Sequence, residues 1–187
     1  SVMAIGQAGE NGVRFASFVN EHDRAAGRGG TGAVAGSKLL KAIVVKATNA
    51  TMPKAADRAK WRAVHQRALK TILDSDITAP NRGGLSLYGT NVLMNPVNAI
   101  GALGSRNSQA TNFEFADAIS GETIRDTILV SEPTCHACPV ACKKEVEIKD
   151  GDYAGVRMES FEYEPAWALG SNCDNADPGS IAKIIDL

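Results

Sequence analysis

The first fifty residues are dominated by short apolar runs separated by glycine and polar residues. Residues 2–8 and 13–18 are apolar or alternating, and the segment 9–12 between them, Gly-Glu-Asn-Gly, is typical of a hairpin turn. Residues 37–41 predict a short helical turn, and the apolar run at 41–46 predicts a buried strand. This part of the chain is therefore predicted to be β-rich.

From Pro53 onward the pattern changes to a helical period. Residues 55–73 carry apolar side chains three or four positions apart, beginning at Trp61, and predict a strong amphipathic helix. His65 lies in this helix and is predicted to be a surface or boundary residue. Shorter patterns predict a loop at 76–90, helices at 123–130, 161–169 and 179–187, and a small hairpin formed by 145–149 and 153–158.

These patterns predict an α+β fold with two parts, a β-rich part over residues 1–50 and a mainly helical part over 51–187. The chain opens with Ser1 and a core-like apolar run, and it stops at Leu187 inside a helical pattern. We therefore expect an internal piece of a longer protein.

Composition and charge exclude several classes of protein. The chain has 187 residues, 44% hydrophobic and 22% charged, which is ordinary globular composition. Its formal net charge of -1 gives no overall field to attract nucleic acid or an anionic membrane. The apolar runs are too short to span a bilayer, and residues 1–20 do not resemble a signal peptide.

Three of the four cysteines, Cys135, Cys138 and Cys142, fall within eight residues. Cysteines this close are poor disulfide partners, whereas this density of thiolates suits an iron–sulfur cluster or zinc. Zinc would need a further ligand from a second, similar knuckle, which the sequence lacks. A cubane [4Fe–4S] cluster needs a fourth thiolate, from Cys173 or from beyond Leu187. The cluster is favoured, with zinc and unliganded cysteines as alternatives.

Two lysines, Lys143 and Lys144, follow the third cysteine directly. They could offset the negative charge of a cluster. The alternative is a solvated basic pair without a role in the site.

A glycine-rich segment also suggests a binding site. Gly27, Gly29 and Gly32 satisfy the dinucleotide pattern G-x-G-x-x-G. We reject that interpretation because residues 21–24 do not form a buried strand and no acidic residue lies about 20 positions further on. Glycine backbone and the guanidinium of Arg28 instead favour a phosphate cradle of another kind, the alternative being a plain tight turn.

Four sequence stretches, in order, resemble the aldehyde:ferredoxin oxidoreductase family, whose members use a tungsten, or sometimes molybdenum, bis-pterin cofactor. Together they span nearly the whole chain. They are Ala8-Gly9-Glu10-Asn11 with Val13-Arg14-Phe15-Ala16; Gly27-Arg28-Gly29-Gly30-Thr31-Gly32-Ala33-Val34 with Gly36-Ser37-Lys38 and Lys41-Ala42-Ile43-Val44-Val45; Gly89-Thr90 with Gly101-Ala102-Leu103 and Arg106-Asn107; and the cysteine triplet with Pro139, Glu162-Tyr163-Glu164 and Ala168-Leu169-Gly170-Ser171-Asn172.

The resemblance implies two cofactors and a division of the chain. Residues 1–50 would end a β-rich pterin-binding domain, and 51–187 would begin a helical domain that carries an iron–sulfur loop. The cysteine triplet would supply three ligands of a [4Fe–4S] cluster, the fourth lying beyond Leu187, so that Cys173 becomes a buried thiol. The pterin and its phosphates would lie against Arg28, Gly29, Gly30, Thr31 and Gly32.

The resemblance also implies an activity. The enzyme would oxidise a small aldehyde to a carboxylic acid and pass electrons through the cluster to ferredoxin or an iron–sulfur electron-transfer subunit. Glu164 is the best match to the family's glutamate near the metal, with Glu162 second, and either carboxylate could move a proton. A cytoplasmic location is expected from the oxygen-sensitive cofactors, and a homo-oligomer is compatible with the resemblance.

Three alternatives remain open at this point. A relative with the same cofactors, the catalytic subunit of benzoyl-coenzyme A reductase, reduces an aromatic ring instead. A non-catalytic iron–sulfur electron-transfer module would hold a cluster without tungsten, and a zinc-stabilised interaction domain would hold only zinc.

Overall fold

The computed structural model describes residues 1–21, 24–48, 50–51, 53–159 and 161–187. These residues fall into two units, Ser1–Ala55 and Ala56–Leu187, each with its own internal contacts. Small antiparallel sheets and short helices occur together, so the mixed α and β content predicted from the sequence is confirmed. Over the described ranges, none of the helices combines the length and the apolar character that a membrane crossing requires.

The first unit is built on a four-stranded sheet in the order β3-β2-β1-β4, with every neighbouring pair antiparallel. Two short helices connect its strands and lie against each other. The elements are β1 (Val2–Ile5), α1 (Gln7–Glu10), β2 (Phe18–Asn20), β3 (Arg24–Ala26), α2 (Thr31–Ser37) and β4 (Ala42–Val44).

The predicted hairpin between 2–8 and 13–18 is wrong. Strands β1 and β2 do pair, with Ile5 opposite Phe18, but helix α1 lies between them instead of a turn. The reason is a long-range contact that the local pattern does not reveal, because Gly9 of α1 packs against Gly32 of α2.

Two further predictions for this unit need correction. The helical turn predicted at 37–41 is instead the end of α2, which begins at Thr31 and stops at Ser37. Strand β4 exists, but it is not buried, and the side chain of Val44 is 67% exposed. The physical reason is that β4 lies at the edge of the sheet, where only one neighbour covers it.

Helices α1 and α2 approach each other backbone to backbone through glycines. A Cβ atom at Gly36 would lie 1.9 Å from the carbonyl oxygen of Gly9. We therefore expect Gly36→Ala to destabilise the folded protein by about 1–3 kcal/mol, the usual cost of overpacking, and to lower the midpoint of urea unfolding. Gly6→Ala is the matched control, since its Cβ would meet no atom within 4 Å. Equal midpoints for the two variants would refute this close approach.

The second unit contains the remaining helices and a three-stranded antiparallel sheet in the order β5-β6-β7. Its core is formed by fully buried side chains from several helices, the central strand and the connecting loops, among them Met94, Leu103, Phe113, Ile119, Val146, Phe161 and Ile181. The elements are α3 (Arg58–Asp74), α4 (Gly84–Tyr88), α5 (Met94–Ala99), α6 (Gly121–Thr127), β5 (Leu129–Ser131), β6 (Glu145–Glu147), β7 (Arg157–Glu159), α7 (Tyr163–Pro165) and α8 (Pro178–Asp186).

Helix α3 confirms the longest helix predicted from the sequence. The side chain of Asp57 caps it by accepting a hydrogen bond from the backbone N–H of Lys60 at 2.9 Å. His65 is exposed, as predicted, and its ring stacks on Trp61 with centroids 5.0 Å apart. None of the residues of α3 is buried within the described chain, so this core does not cover the predicted apolar stripe.

The predicted hairpin near residues 145–158 is confirmed as β6 and β7, with Val146 opposite Met158. The helix predicted at 179–187 is confirmed as α8, whose first turn is capped by Asp177. Two predicted helices are shorter in the structure. Helix α6 ends at Thr127 and strand β5 follows it, so the helix predicted at 123–130 is too long. The helix predicted at 161–169 is formed by α7 and a π-helix at Ala166–Gly170. The loop predicted at 76–90 contains helix α4.

Candidate functional site

The cysteine triplet lies in the loop that connects β5 to β6. The backbone N–H of Cys138 donates to the carbonyl oxygen of Cys135 at 3.0 Å, and the Thr134 hydroxyl donates to the carbonyl oxygen of Cys138 at 2.6 Å. Ala137 and Ala141 both adopt left-handed backbone conformations, with φ of 56° and 53°. The chain therefore turns sharply just before the second cysteine and again just before the third.

The thiol of Cys142 interacts electrostatically with a glutamate and with the other two cysteines of the triplet. Burial raises the pKa of Cys142, and the charges of Glu162, Cys135 and Cys138 raise it further. Three soft sulfur donors in one loop match the ligand chemistry of an iron–sulfur cluster, so this donor set fits that group. Within the part of the chain that the structure describes, no three His, Cys, Asp or Glu side chains are arranged to hold a metal ion.

A short 3₁₀-helix at Gly89–Leu93 connects the cysteine loop to Glu162. Gly89 has a left-handed φ of 64°, and a Cβ there would lie 2.8 Å from the carbonyl oxygen of Cys142. The Thr90 hydroxyl donates to Oε2 of Glu162 at 2.8 Å and accepts from the backbone N–H of Tyr163 at 3.0 Å. Residues 89 and 90 thus fix the third cysteine and the glutamate relative to each other.

This contact allows a matched test with two left-handed glycines. Gly89→Ala should displace the carbonyl of Cys142 and reduce the iron bound per chain, measured after anaerobic purification. Gly101→Ala introduces the same kind of backbone strain, with φ of 69°, but the nearest atom to its Cβ would be 3.9 Å away. Its iron content should stay at the wild-type level. Equal iron loss in both variants would mean that strain, and not contact with Cys142, is responsible.

The structure places the candidate glutamates differently. Glu162 is half-buried and faces Thr90, whereas Glu164 is exposed on α7. Burial raises the pKa of Tyr163, and the charge of Glu164 raises it further. Glu159, which belongs to the same acidic cluster of the sequence, forms an ion pair with Lys143 at 2.7 Å. Of the two catalytic candidates, Glu162 is therefore the one brought to the cysteine loop.

The interpretation of Lys143 and Lys144 as a solvated basic pair is wrong. Their exposed fractions are 8% and 3%, and each forms an ion pair, Lys143 with Glu159 and Lys144 with Glu132 at 3.2 Å. Burial lowers the pKa of Lys144, while the carboxylate of Glu132 acts in the opposite direction. The sequence position directly after Cys142 was the only signal that these lysines belong to the site.

The prediction that Cys173 is a buried thiol is also wrong. Cys173 is exposed at the end of a 3₁₀-turn, and its thiol donates to the carbonyl oxygen of Ala168 at 3.2 Å. Its charge is not among those that act on Cys142. The structure thus does not group Cys173 with the cysteine triplet.

The glycine segment of the first unit combines packing positions with an exposed turn. A Cβ at Gly30 would lie 2.2 Å from the carbonyl oxygen of Arg14, and the N–H of Gly32 donates to the carbonyl oxygen of Ala16 at 2.9 Å. A side chain at either glycine would clash with neighbouring backbone. Arg28 and Gly29 are exposed, and Gly29 has a φ of 90° with open space where a Cβ would be.

Further features of this segment bear on whether it is a phosphate cradle, a plain tight turn or part of a dinucleotide fold. The Thr31 hydroxyl donates to the carbonyl oxygen of Ala26 at 3.1 Å, which fixes the start of α2. Strand β3, which precedes the segment, is exposed along its length, unlike the buried strand of a dinucleotide fold. His22 and Asp23, part of the stretch used to reject that fold, lie outside the described residues. An exposed arginine beside an open glycine fits a phosphate group.

Two family models match the chain. The N-terminal domain of aldehyde ferredoxin oxidoreductase matches residues 1–47, and domains 2 and 3 of the same enzyme match residues 63–187. The chain belongs to the aldehyde ferredoxin oxidoreductase family. The resemblance inferred from the four sequence stretches is thereby confirmed.

Individual relatives within and around this family agree. A tungsten-containing aldehyde ferredoxin oxidoreductase from Pyrococcus abyssi is 40% identical over 183 residues, which is 97% of this chain and 28% of that protein. The enzyme of the same description from Pyrococcus furiosus is 39% identical over 182 residues. An aliphatic sulfonate oxidoreductase, WOR-like subunit, also from Pyrococcus furiosus, is 28% identical over 188 residues. The chain thus spans less than a third of the length of these relatives.

A solved structure supports the fold. The active-site complex BamBC of benzoyl coenzyme A reductase, in complex with 1,5-dienoyl-CoA, superposes with a TM-score of 0.64. The match covers 98% of this chain and 28% of that one at 21% sequence identity. At this identity the likeness establishes a shared fold and no shared chemistry.

Proposed function

We propose that this chain is part of a tungsten bis-pterin oxidoreductase that oxidises aldehydes to carboxylic acids. Aldehyde and water would give the acid, two protons and two electrons, and the electrons would leave one at a time through a [4Fe–4S] cluster to ferredoxin or an electron-transfer subunit. The observation that carries the proposal is the cysteine loop joined to Glu162 through Gly89 and Thr90. The 40% identity to tungsten-containing aldehyde ferredoxin oxidoreductases supports aldehyde oxidation as the chemistry of this arrangement.

The cluster ligands in this proposal are Cys135, Cys138 and Cys142. Their loop is already turned by two left-handed alanines, and the backbone of the third cysteine lies close to Gly89. These fixed backbone turns lower the entropy cost of ordering the loop when the cluster binds. We assign this loop to a helical cluster-binding domain over residues 51–187.

The pterin phosphates are assigned to the glycine segment of a pterin-binding domain over residues 1–50. Arg28 supplies a planar guanidinium and Gly29 leaves the backbone accessible, while Thr31 orders the start of α2. Gly30 and Gly32 contribute by letting the chain pack beneath the exposed turn. When bound, the tungsten pterin would supply the two-electron redox chemistry that no amino-acid side chain provides.

Glu162 and Glu164 are the candidates for proton transfer during aldehyde oxidation. A positioned carboxylate can accept the proton that is released as water adds to the carbonyl. The hydrogen bond from Thr90 orients the carboxylate of Glu162, which gives this residue the stronger support. Glu164 is exposed and has the closer match to the family pattern, so both belong in the test.

The activity can be tested on the full-length protein purified without oxygen. Short aldehydes with a one-electron acceptor dye should yield the carboxylic acid and two reduced acceptors per aldehyde. Benzoyl-coenzyme A with a low-potential electron donor forms the comparison reaction, and no ring reduction is expected. Ring reduction without aldehyde oxidation would replace the proposal with that of an aromatic-ring reductase, and a cluster-containing protein inactive in both reactions would favour an electron-transfer module.

A further inference from the structure

The ammonium group of Lys144 is enclosed by hydrogen-bond acceptors. It donates to the carbonyl oxygens of Ser86 at 2.7 Å, Ala141 at 3.0 Å and Lys143 at 3.3 Å, and Oε1 of Glu132 lies 3.2 Å away. A neutral amine would point a lone pair at one of these acceptors, whereas an ammonium ion can donate to three of them. This side chain, only 3% exposed, is thus surrounded by oxygen acceptors, one of which belongs to a carboxylate.

The ion pair of Lys144 is part of a larger network. Glu132 also accepts a hydrogen bond from Arg125 at 2.6 Å, and Arg125 donates to the carbonyl oxygen of Leu87 at 2.8 Å. The two cations thus share one carboxylate, so these three groups together carry a net charge of +1. Through Ser86 and Leu87 the network holds the end of α4 against the chain that follows Cys142.

The contact with Ala141 brings this charge to the cysteine loop. Ala141 precedes Cys142 and has a left-handed φ of 53°, a conformation that costs energy in a residue with a Cβ. A hydrogen bond from a buried ammonium to its carbonyl oxygen stabilises this turn. Lys144 therefore both holds the turn and places a positive charge two residues from a candidate cluster ligand.

We propose that Lys144 is a positioning residue that raises the reduction potential of the [4Fe–4S] cluster. The inference rests on the proposed function, since it requires a cluster on the triplet. A cluster gains one negative charge when it accepts an electron, and a buried cation stabilises that charge more strongly than a solvated one would. Lys144 therefore makes the cluster a better acceptor for electrons released at the aldehyde.

The test is a reductive titration of the full-length protein, followed by electron paramagnetic resonance, with iron analysis of every variant. Lys144→Met should lower the ratio of reduced to oxidised cluster about tenfold at a fixed potential, equivalent to about 59 mV for a one-electron couple. Lys144→Arg keeps the charge and should restore most of the ratio. Lys149→Met is the matched control, because Lys149 is an exposed lysine that also donates to a backbone carbonyl, that of Thr127.

A second variant covers the case in which Lys144→Met does not fold. Glu132→Gln removes the carboxylate that Lys144 and Arg125 share, and it should raise the ratio of reduced to oxidised cluster. Opposite shifts in the two variants support the inference, and the Glu132→Gln shift is decisive only where Lys144→Met does not fold. If the variants contain a full complement of iron and keep the wild-type potential, the role of Lys144 is overturned, but the proposed function is not. Wild-type protein without iron would overturn both this inference and the proposed function.

Discussion

Replacing Cys142 by serine should remove most of the iron from the protein, together with the visible absorption and the aldehyde oxidation that the proposed function predicts. Cys142 is half-buried, and its carbonyl oxygen lies against Gly89, so we choose it as the member of the triplet to replace. A serine hydroxyl is a much weaker ligand for iron than a thiolate, and the two remaining cysteines of the triplet would bind a cluster much less tightly. Iron content, absorption spectrum and activity are measured on the same anaerobic preparation.

Cys173→Ser is the matched control for this substitution. Its thiol is exposed and bonds only locally, to the carbonyl oxygen of Ala168, in the described structure. We expect wild-type iron and wild-type activity in this variant. A Cys173→Ser protein that loses its iron while Cys142→Ser retains it would contradict the assignment of the triplet.

Replacing Glu162 by glutamine should lower kcat for aldehyde oxidation by about 10²–10⁴-fold, the usual contribution of a positioned acid or base. The amide keeps the size of the side chain and can still accept the hydrogen bond from Thr90, so the fold and the cofactor content should be preserved. Wild-type tungsten and iron contents would show that loss of cofactor does not cause the fall in kcat.

Glu164→Gln provides the comparison, since it makes the same chemical change two residues further on. Because Glu164 is exposed, we expect a much smaller fall in kcat. The reverse ranking, with Glu164→Gln inactive and Glu162→Gln active, would transfer the catalytic assignment to Glu164. Two active variants would exclude both carboxylates from proton transfer.

Several elements could be predicted because their signals are local. Helix α3 follows from its apolar period, and α8 follows from Asp177 and Pro178 at its start. The hairpin of β6 and β7 follows from alternating residues around a turn that contains Gly151. In each case the residues that determine the structure lie within a few positions of one another.

Other elements depend on contacts between distant residues. Arg106, Asn107 and Ser108 are all left-handed, and two of their N–H groups are held by the carbonyl oxygens of Ser171 and Asn172. The apolar run of β4 gave no sign that it would lie at the edge of a sheet. Single-sequence patterns contain no information about such partners, which is also why the connection through α1 was missed.

The candidate site likewise combines features that are local in sequence with contacts between distant residues. The cysteine triplet could be recognised from its spacing, because cluster ligands lie close together in sequence. The hydrogen bond between Thr90 and Glu162 joins residues 72 positions apart, and the burial of Lys144 depends on Ser86 and Glu132. These features determine which glutamate faces the loop and how the loop is held, and only the folded chain reveals them.

The most direct test of the proposed function is elemental analysis of the full-length protein after anaerobic purification, with tungsten, molybdenum, iron and zinc measured together. We expect tungsten or molybdenum in stoichiometric amount and about four iron atoms per chain. Iron without tungsten or molybdenum would leave an electron-transfer protein or one that has lost its pterin. Zinc without iron, tungsten or molybdenum would contradict the assignment of the cysteine triplet and of the pterin site alike.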